Sequence, residues 1–245
     1  STYNAYLHVW YGQTMNYAKP AAKGSIALWV VTTASGANYG NRFIAYAGYL
    51  YAMTEPNATS TLYAPIFANG EIGKWNRTTD ITVVRQRGSV AIYNGYVYVV
   101  GGHDGTPTDQ LSIERAKIDP AGALSLSQAG TSLASPGGRY GTSSVAYNGY
   151  LYVACGCNGG CAATPNSGTS LLSDLQYVPI NANGSLGSWA TASNALPFAA
   201  WKASLVAYNG YLYLTGGLTI TGVCPVCSYT TQNLLLYVPL GSAGN

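Results

Sequence analysis

The stretch Val145–Gly156, VAYNGYLYVACG, recurs along the chain and decides its fold. It returns as VAYNGYLYLTGG at Val206–Gly217, as AIYNGYVYVVGG at Ala91–Gly102 and as IAYAGYLYAMTE at Ile44–Glu55, and a weaker copy, TYNAYLHVWYG, spans Thr2–Gly12. The shared tyrosines Tyr6, Tyr49, Tyr96, Tyr150 and Tyr211 are 43, 47, 54 and 61 residues apart. A repeat of this length is typical of one propeller blade.

A second motif follows the first at a variable distance in each unit. It reads LYAPIFANGEIGKW at Leu62–Trp75 and LQYVPINANGSLGSW at Leu175–Trp189. Alternating apolar residues around Asn-Gly or Ala-Gly pairs predict tight hairpins with positive φ in the turn. Each unit thus predicts four antiparallel strands, A to D, which read SSVAY, YLYVA, LQYVP and SLGSW in the fourth unit. No stretch combines helical apolar spacing with capping residues, so we expect essentially no helix.

Units of this size and strand pattern resemble the kelch repeat, including the propeller domain of galactose-oxidase-like proteins. The resemblance rests on the glycine pairs Gly101-Gly102 and Gly216-Gly217, which close strand B, and on a Tyr in strand C and a Trp in strand D. These residues are Tyr63, Tyr177, Tyr237, Trp29, Trp75 and Trp189. Three positions depart from the pattern: Thr54-Glu55, Cys155-Gly156, and Leu126 or Ser127 where the Trp of the third unit should fall.

The resemblance implies an all-β fold, a β-propeller of four-stranded antiparallel kelch-like blades in a single domain over residues 1–245. We expect about five repeats, at residues 1–37, 38–83, 84–137, 138–198 and 199–245, with the last lacking its outer strand D. Kelch propellers usually close with about six or seven blades. The chain is therefore either an unusual five-bladed ring or part of a longer propeller.

Composition excludes several classes of partner. Charged residues make up 8% of the 245 residues and the net charge is +3, so we expect no nucleic-acid partner. No apolar run is long enough for a transmembrane helix, so we expect no membrane insertion. The 22 tyrosines, together with many Asn, Ser and Gly residues, resemble the composition of adaptable recognition surfaces.

The five cysteines lie in polar loops, as CGCNGGC and CPVC. One interpretation pairs Cys157 with Cys161 and Cys224 with Cys227 as disulfides and leaves Cys155 over. A zinc site built from four thiolates across a blade boundary and a set of free thiols are the alternatives. Because C-x3-C is a poor zinc motif, we expect disulfides, no metal and an extracellular or cell-surface location. Candidate glycosylation sites are Asn57, Asn76 and Asn183.

Strand direction decides which loops share a face. In a four-stranded meander the A–B and C–D turns lie at one end, and the B–C and D–A loops lie at the other. The A–B and C–D turns are regular copies, whereas the length variation falls in the B–C loops. Variable loops on a repeated scaffold normally carry function, so we expect the contact face at the B–C and D–A end.

The D–A segments supply aromatic and cationic side chains to that face. Ten residues before each strand-B tyrosine stand Tyr39, Gln86, Tyr140 and Trp201. The candidate ligand-binding residues there are Trp201, Tyr140, Tyr39, Arg139, Arg85, Arg87 and Lys202. The resemblance implies that such side chains surround the mouth of the central channel, where they stack on sugar rings or hold carboxylates. The alternative is that they pack neighbouring blades together.

A polar loop in the third unit, HDGTPTD, adds His103, Asp104 and Asp109 to the ligand-binding candidates. It is suited to a cation or to sugar hydroxyls, although His-Asp-Gly is also typical of a solvated turn. His8 aligns with the strand-B tyrosines, so we expect it to be internal. The single remaining histidine cannot form the two-histidine copper site of galactose-oxidase-like enzymes. We assign no catalytic residue and no cofactor.

We expect a non-catalytic extracellular binding or scaffold module that contacts glycan or protein partners in adhesion or surface assembly, including assembly with its own kind. The alternative is a carbohydrate-active propeller enzyme, such as a sugar mutarotase or a sialidase relative. That reading requires Asp104, Asp109 and Arg139 to converge on one cavity. A third reading is an intracellular adaptor for a protein partner, whose five cysteines would all be reduced.

Overall fold

The computed structural model describes the strands and most of the connections between them. The described residues are 2–3, 6–11, 14–19, 30–33, 42–53, 58–105, 109–125, 128–129, 131–134, 136–158, 171–221 and 228–241. Several positions singled out from the sequence lie outside these ranges, namely Tyr39, Asn57, Cys161, Cys224 and Cys227.

Each of the five repeats supplies one four-stranded sheet, formed by β1–β4, β5–β8, β9–β12, β13–β16 and β17–β20. The strands are β1 (Thr2–Tyr3), β2 (Tyr6–Tyr11), β3 (Thr14–Ala18), β4 (Val30–Thr33), β5 (Arg42–Tyr46), β6 (Tyr49–Met53), β7 (Leu62–Pro65), β8 (Asn76–Arg77), β9 (Ser89–Tyr93), β10 (Tyr96–Val100), β11 (Ile113–Lys117), β12 (Gln128–Ala129), β13 (Ser143–Tyr147), β14 (Tyr150–Ala154), β15 (Leu175–Pro179), β16 (Ala190–Thr191), β17 (Trp201–Tyr208), β18 (Tyr211–Thr221), β19 (Ser228–Thr231) and β20 (Leu235–Pro239). No described residue lies in a helix, as the sequence predicts.

The predicted A–B hairpins are confirmed. Tyr147 of β13 pairs with Tyr150 of β14 across a two-residue turn. In that turn Asn148 has φ 49° and Gly149 has φ 82°, the left-handed pair that a tight hairpin of this twist requires. The same signs occur at Ala47-Gly48, Asn94-Gly95 and Asn209-Gly210.

The sheets stand side by side around their first strands. Within the fourth repeat the spatial order is β13, β14, β15, β16, so strand A lies at one edge and strand D at the other. The first strands of consecutive repeats contact one another in chain order, β1 with β5, β5 with β9, β9 with β13 and β13 with β17. This arrangement of antiparallel sheets is propeller-like.

A hydrophobic core lies between each pair of consecutive described blades. At each of these interfaces the face of one sheet that bears the strand-B tyrosine packs on the aliphatic face of the next sheet. Between the second and third repeats, Tyr51 and Met53 pack with Val97 and Val99. The next two interfaces follow the same rule, with Tyr98 and Val100 packing on Leu151 and Val153, and Tyr152 and Ala154 packing on Leu212 and Leu214.

A repeated hydrogen bond fixes the register between blades. The hydroxyl of Tyr51 donates to the carbonyl oxygen of Gly122 at 2.9 Å, and the hydroxyl of Tyr98 donates to that of Gly184 at 2.9 Å. Both glycines lie in the C–D turn of the next repeat, with φ 86° and 77°. A Cβ at Gly184 would lie 2.5 Å from the ring of Tyr96, so only glycine fits the turn against its neighbour.

The number of packed blades differs from the expectation of about five. The sheets of β5–β20 form four blades with described packing between them. Strands β1–β4 pair as a further sheet, and β1 contacts β5, but most side chains of that sheet lie outside the described residues. Among the described residues the structure therefore shows four packed blades, not the five or so that the repeat count predicts.

The last repeat departs from the others at its B–C connection. Strand β18 runs over 11 residues; Tyr211–Thr215 pair with β20, and Leu218–Thr221 pair with β19. The connection that the sequence predicts as a long loop therefore begins as an extension of the sheet. Strand β20 takes the place of strand C, and no described residue supplies strand D.

Candidate ligand-binding site

The D–A segments and the B–C connections meet at one end of the blades, as predicted. The backbone N–H of Gln86 donates to the carbonyl oxygen of His103 at 2.9 Å, and that of Tyr140 donates to the carbonyl oxygen of Cys157 at 2.9 Å. In each case a residue just before strand A pairs with a residue just after strand B. These bridges extend the antiparallel pairing of strands A and B beyond the position of the glycine pair. They thereby fix the backbone that bears the candidate side chains.

A chain of backbone hydrogen bonds links three consecutive D–A segments. The N–H of Lys202 donates to the carbonyl oxygen of Gly141 at 2.7 Å, and the N–H of Gly141 donates to that of Arg87 at 3.1 Å. These three equivalent residues share a left-handed backbone, with φ 59°, 66° and 55°. The two non-glycine residues thus hold a conformation that side chains disfavour. Strain of this kind is commonly retained at functional sites.

Two aromatic rings lie next to this backbone chain. Tyr140 and Trp201 are 4% and 5% exposed, and their ring centroids are 5.7 Å apart with the planes tilted by 32°. The ring centroids of His103 and Tyr140 are 5.8 Å apart with the planes at 76°, and those of Tyr229 in β19 and Trp201 are 6.3 Å apart. The structure therefore brings together three of the predicted residues, His103, Tyr140 and Trp201.

Cationic groups face the same rings. The guanidinium carbon of Arg87 lies 5.3 Å from the Tyr140 centroid and 6.0 Å from the Trp201 centroid. The ammonium group of Lys202 lies 3.9 Å from the Trp201 centroid. These are distances at which a cation is attracted by the face of an aromatic ring. We call Arg87, Tyr140, Trp201 and Lys202 the aromatic–cation cluster.

The charges at this end of the blades repel one another. Burial lowers the pKa of Lys202, and the nearby positive charges of Arg87 and Arg42 lower it further. Burial also lowers the pKa of Arg42, and Arg87 adds to that effect. None of the four ion pairs among the described residues includes these three cations. A bound anion would relieve this repulsion.

Sequence reasoning missed Arg42 and Tyr229. Arg42 opens β5, and its Nε donates to the carbonyl oxygen of Gly88 at 3.1 Å. It aligns with Ser89, Ser143 and Ser204 of the later repeats. An arginine where the other repeats have serine was the sequence signal that could have identified it. Tyr229 lies in a connection that the repeat does not define, and no sequence signal identified it.

Arg85 and Arg139 lie away from the cluster, in buried ion pairs. Arg85 is 1% exposed; its Nε bonds Glu114 Oε1 at 2.8 Å, and its other nitrogens bond the carbonyl of Gly101 and both oxygens of Ser112. Arg139 is fully buried and holds both oxygens of Asp174, at 2.7 and 2.5 Å. These equivalent arginines tie strand B to the start of strand C, so we leave both out of the site.

The polar loop of the third repeat is largely engaged within itself. His103 Nδ1 and Asp109 Oδ1 are 3.5 Å apart, and both residues are 7% exposed. Asp104 accepts a hydrogen bond from the side-chain amide of Gln110 at 2.7 Å. Arg139 meanwhile holds Asp174. The contacts described for Asp104, Asp109 and Arg139 are thus with Gln110, His103 and Asp174 respectively, and the enzyme alternative stays a prediction.

Of the five cysteines, Cys155 and Cys157 lie within the described residues. Cys155 is a free thiol, fully buried, with φ 59°, and burial raises its pKa to about 12. Cys157 is disulfide-bonded. The predicted pairing of Cys157 with Cys161, and that of Cys224 with Cys227, involve residues outside the described ranges and remain predictions.

Two of the three candidate glycosylation sites are described, and both are exposed. Asn76 lies in β8, where its amide donates to the carbonyl of Lys74. Asn183 lies in the C–D turn of the fourth repeat and accepts hydrogen bonds from Ser185. Both side chains therefore lie at the outer surface, away from the aromatic–cation cluster.

The described residues offer positive charge to an anion beside two buried aromatic rings. Arg87 and Lys202 supply positive charge, Tyr140 and Trp201 supply rings, and Trp201 Nε1 has no hydrogen-bond partner among the described residues. Nowhere in the described ranges do three or more His, Cys, Asp or Glu residues gather in a way that would hold a metal ion. Those ranges also contain no helix that is long and apolar enough to span a membrane.

No family model matches the chain, and no curated protein matches it in sequence. Among solved structures the chain is similar to that of YjhT, at 11% sequence identity and a TM-score of 0.59. The match covers 94% of this chain and 84% of YjhT. At this level of identity the likeness shows a shared fold and nothing more about function.

Proposed function

We propose that this chain is a kelch-type propeller that acts as a non-catalytic extracellular binding or scaffold module. It contacts glycan or protein partners through the end of the blades where the D–A segments and B–C connections meet. The observation that carries this proposal is the aromatic–cation cluster, in which Arg87 lies 5.3 Å from Tyr140 and Lys202 lies 3.9 Å from Trp201. The kelch assignment rests on the repeated glycine pairs, tyrosines and tryptophans of the sequence.

The chemistry of the cluster favours a glycan that carries a carboxylate. Tyr140 and Trp201 are 4% and 5% exposed and lie in a buried core cluster with Cys157, Leu171 and Ile220, so they support the two cations rather than offer an open ring face to a sugar. Arg87 supplies a planar guanidinium that matches a carboxylate, and Lys202 supplies a second positive charge. Burial is the main cause of the lowered pKa of Lys202, and the positive charges of Arg87 and Arg42 lower it further. A bound carboxylate would offset that repulsion, so an acidic sugar gains more here than a neutral one.

A panel of immobilised glycans that contains matched acidic and neutral members tests this function. The wild-type chain is expected to bind uronic-acid oligomers and to release them as salt rises, since salt screens partly exposed charges. Arg87→Ala is expected to weaken that binding by about tenfold, the loss typical of one hydrogen bond to a charged group. Lys74→Ala removes the same charge in a C–D turn and serves as the matched control. Equal binding of acidic and neutral glycans, or equal loss in both variants, would count against the proposal.

The proposed extracellular location has a separate test, the intact mass of natively purified protein before and after reduction and alkylation. We expect two disulfides, with Cys155 as the single free thiol, and added glycan mass at Asn57, Asn76 or Asn183. Five alkylatable thiols and an unmodified mass would instead favour the intracellular adaptor.

A further inference from the structure

Three cations from three different blades lie close together at the end where the D–A segments and B–C connections meet. Arg87 and Lys202 belong to the aromatic–cation cluster, and Arg42 opens β5 in the second repeat. Burial is the main cause of the lowered pKa of Arg42 and of Lys202, and the charge of Arg87 lowers both further. Arg42 also lowers the pKa of Lys202. Each of these cations is therefore close enough to be repelled by the other two.

The acidic side chains of the chain lie elsewhere. The sequence contains 8 Asp and Glu residues, and all but Glu55 lie within the described ranges. Four of them contact other basic side chains, namely Asp80 with Arg77, Glu114 with Arg85, Asp174 with Arg139 and Asp109 with His103. Asp104 holds Gln110, and Glu71 and Asp119 stand in C–D turns at the opposite end of the blades. No described acid therefore balances the three cations.

The fourth repeat contributes no side chain between the cations of its neighbours. Gly141 occupies the position of Arg87 and Lys202, and a Cβ there would lie 3.3 Å from the ring of Trp201 and 3.5 Å from Cγ of Lys202. Beside this gap, Trp201 Nε1 is buried and has no hydrogen-bond partner among the described residues. A buried donor of this kind requires an acceptor, which the oxygen atoms of a ligand can supply.

The three cations fall into two groups. Arg87 and Lys202 lie 6.0 Å and 3.9 Å from the centroid of the same Trp201 ring, so one carboxylate can be held between them. Arg42 is not one of the cations that face this ring. Its Nε donates to the carbonyl oxygen of Gly88 at 3.1 Å, which leaves its two terminal nitrogens for another acceptor. A single carboxylate would thus offset one positive charge and leave Arg42 without a partner.

We infer that this site binds a ligand with two acidic groups on neighbouring units, one held by Arg87 and Lys202 and the other by Arg42. The inference rests on the proposed function and narrows it from acidic glycans in general to chains of two or more uronic acids. Arg42 is then the residue that makes the site prefer two carboxylates over one. The later repeats offer no such group, because they carry Ser89, Ser143 and Ser204 at the equivalent position.

The probes are the dimer of galacturonic acid and the same dimer with one carboxyl group converted to its methyl ester. They match in size and differ by one charge. Calorimetric titration into the 245-residue chain at low salt should show the dimer binding at least about tenfold more tightly than the half ester, the gain typical of one hydrogen bond to a charged group. In Arg42→Ser, which installs the residue of the later repeats, the two probes should bind alike. Lys74→Ala, in a C–D turn, is the matched control and should keep the preference.

The comparison of the two probes uses the wild-type protein and does not depend on the folding of any variant. Equal binding of dimer and half ester by wild type, or a preference that survives in Arg42→Ser, would overturn the inference and leave the acidic-glycan function standing. Glucose 6-phosphate, which carries one doubly charged group, should bind more weakly than the dimer. Equally tight binding would show that one group suffices and would also overturn the inference. Binding of neither uronate probe would refute the proposed function together with the inference.

Discussion

The ammonium group of Lys202 lies 3.9 Å from the centroid of the ring of Trp201, the residue just before it. Side chains of adjacent residues in a strand normally point to opposite faces. Lys202 is exposed and Trp201 is buried, as that alternation requires, but Lys202 has a left-handed backbone, with φ 59°, and its ammonium group lies over the ring of its neighbour. A strained backbone and a charge–ring contact thus coincide at the position where we propose that a ligand binds.

Replacing Lys202 by glycine separates backbone strain from charge. Glycine adopts positive φ freely and already occupies the equivalent position at Gly141, so Lys202→Gly should leave the free energy of unfolding within about 1 kcal/mol of wild type. Binding of an acidic glycan should nevertheless weaken, because the ammonium group is gone. Equilibrium denaturation and glycan titration measure the two effects. A variant that binds as wild type does would remove Lys202 from the site.

The contact between the C–D turn and the preceding blade predicts that alanine is more destabilising at Gly184 than at Gly149. Gly149 and Gly184 have φ 82° and 77°, so alanine is strained at both. A Cβ at Gly149 meets nothing within 4 Å, whereas one at Gly184 would lie 2.5 Å from the ring of Tyr96 in the preceding blade. Gly184→Ala should therefore cost about 1–3 kcal/mol more than Gly149→Ala in urea denaturation. Equal costs would show that the ring of Tyr96 moves away freely.

Arg139 and Arg77 both pair with a carboxylate but differ in burial, so we expect their replacement to cost unequal amounts of folding free energy. Arg139 is fully buried and pairs with Asp174, whose side chain is 19% exposed, so Arg139→Ala should destabilise the protein by about 1–3 kcal/mol, because it leaves a partly buried carboxylate without its cation. Arg77, whose side chain is 65% exposed, pairs with Asp80 at the surface, and Arg77→Ala should change stability far less. Chemical denaturation of both variants tests the assignment of Arg139 to structure rather than to ligand binding. A small effect of Arg139→Ala would contradict it.

The repeated buried tyrosines predict a loss of stability at high pH. Burial raises the pKa of Tyr98 and Tyr152 to about 12 from an ordinary value of 10.0. Because the folded protein holds these protons more tightly than the unfolded chain, their contribution is complete below pH 10 and is lost as pH rises towards 12. Thermal unfolding followed from pH 8 to 12 should show this decline, and phenolate absorbance should show late-titrating tyrosines.

Tyr98→Phe gives that pH profile its control. The variant loses the 2.9 Å hydrogen bond to Gly184 and should be about 1 kcal/mol less stable at neutral pH. It should also lose less stability than wild type between pH 10 and 12, since one late-titrating group is missing. A profile that runs parallel to that of wild type would contradict the role given to Tyr98.

Repetition is the reason that so much of the fold was predictable. The Asn148-Gly149 turn, its strands and its copies recur with one pattern, so each unit confirmed the interpretation of the others. The blade count was less accessible, because the first unit is diverged and its packing lies largely outside the described residues. The extension of β18 into a hairpin with β19 was missed because that connection has no counterpart among the other units.

The candidate site was predictable only in part. Equivalence among repeats identified Tyr140 and Trp201 together with the cations Arg87 and Lys202, and the structure brings these four together. The same reasoning listed Arg85 and Arg139 as ligand-binding candidates, since they stand just before the equivalent residues Gln86 and Tyr140. Their partners, Glu114 and Asp174, stand 29 and 35 residues away along the chain, a pairing that only the folded sheet reveals.

The most direct test of the central claim is a titration of a uronic-acid oligomer into the wild-type chain, Arg87→Ala and Lys74→Ala at low salt. Our account predicts saturable binding by wild type and Lys74→Ala, and binding about tenfold weaker for Arg87→Ala. Binding that is unchanged in Arg87→Ala but reduced in Lys74→Ala would place the contact face at the opposite end of the blades and would contradict the account.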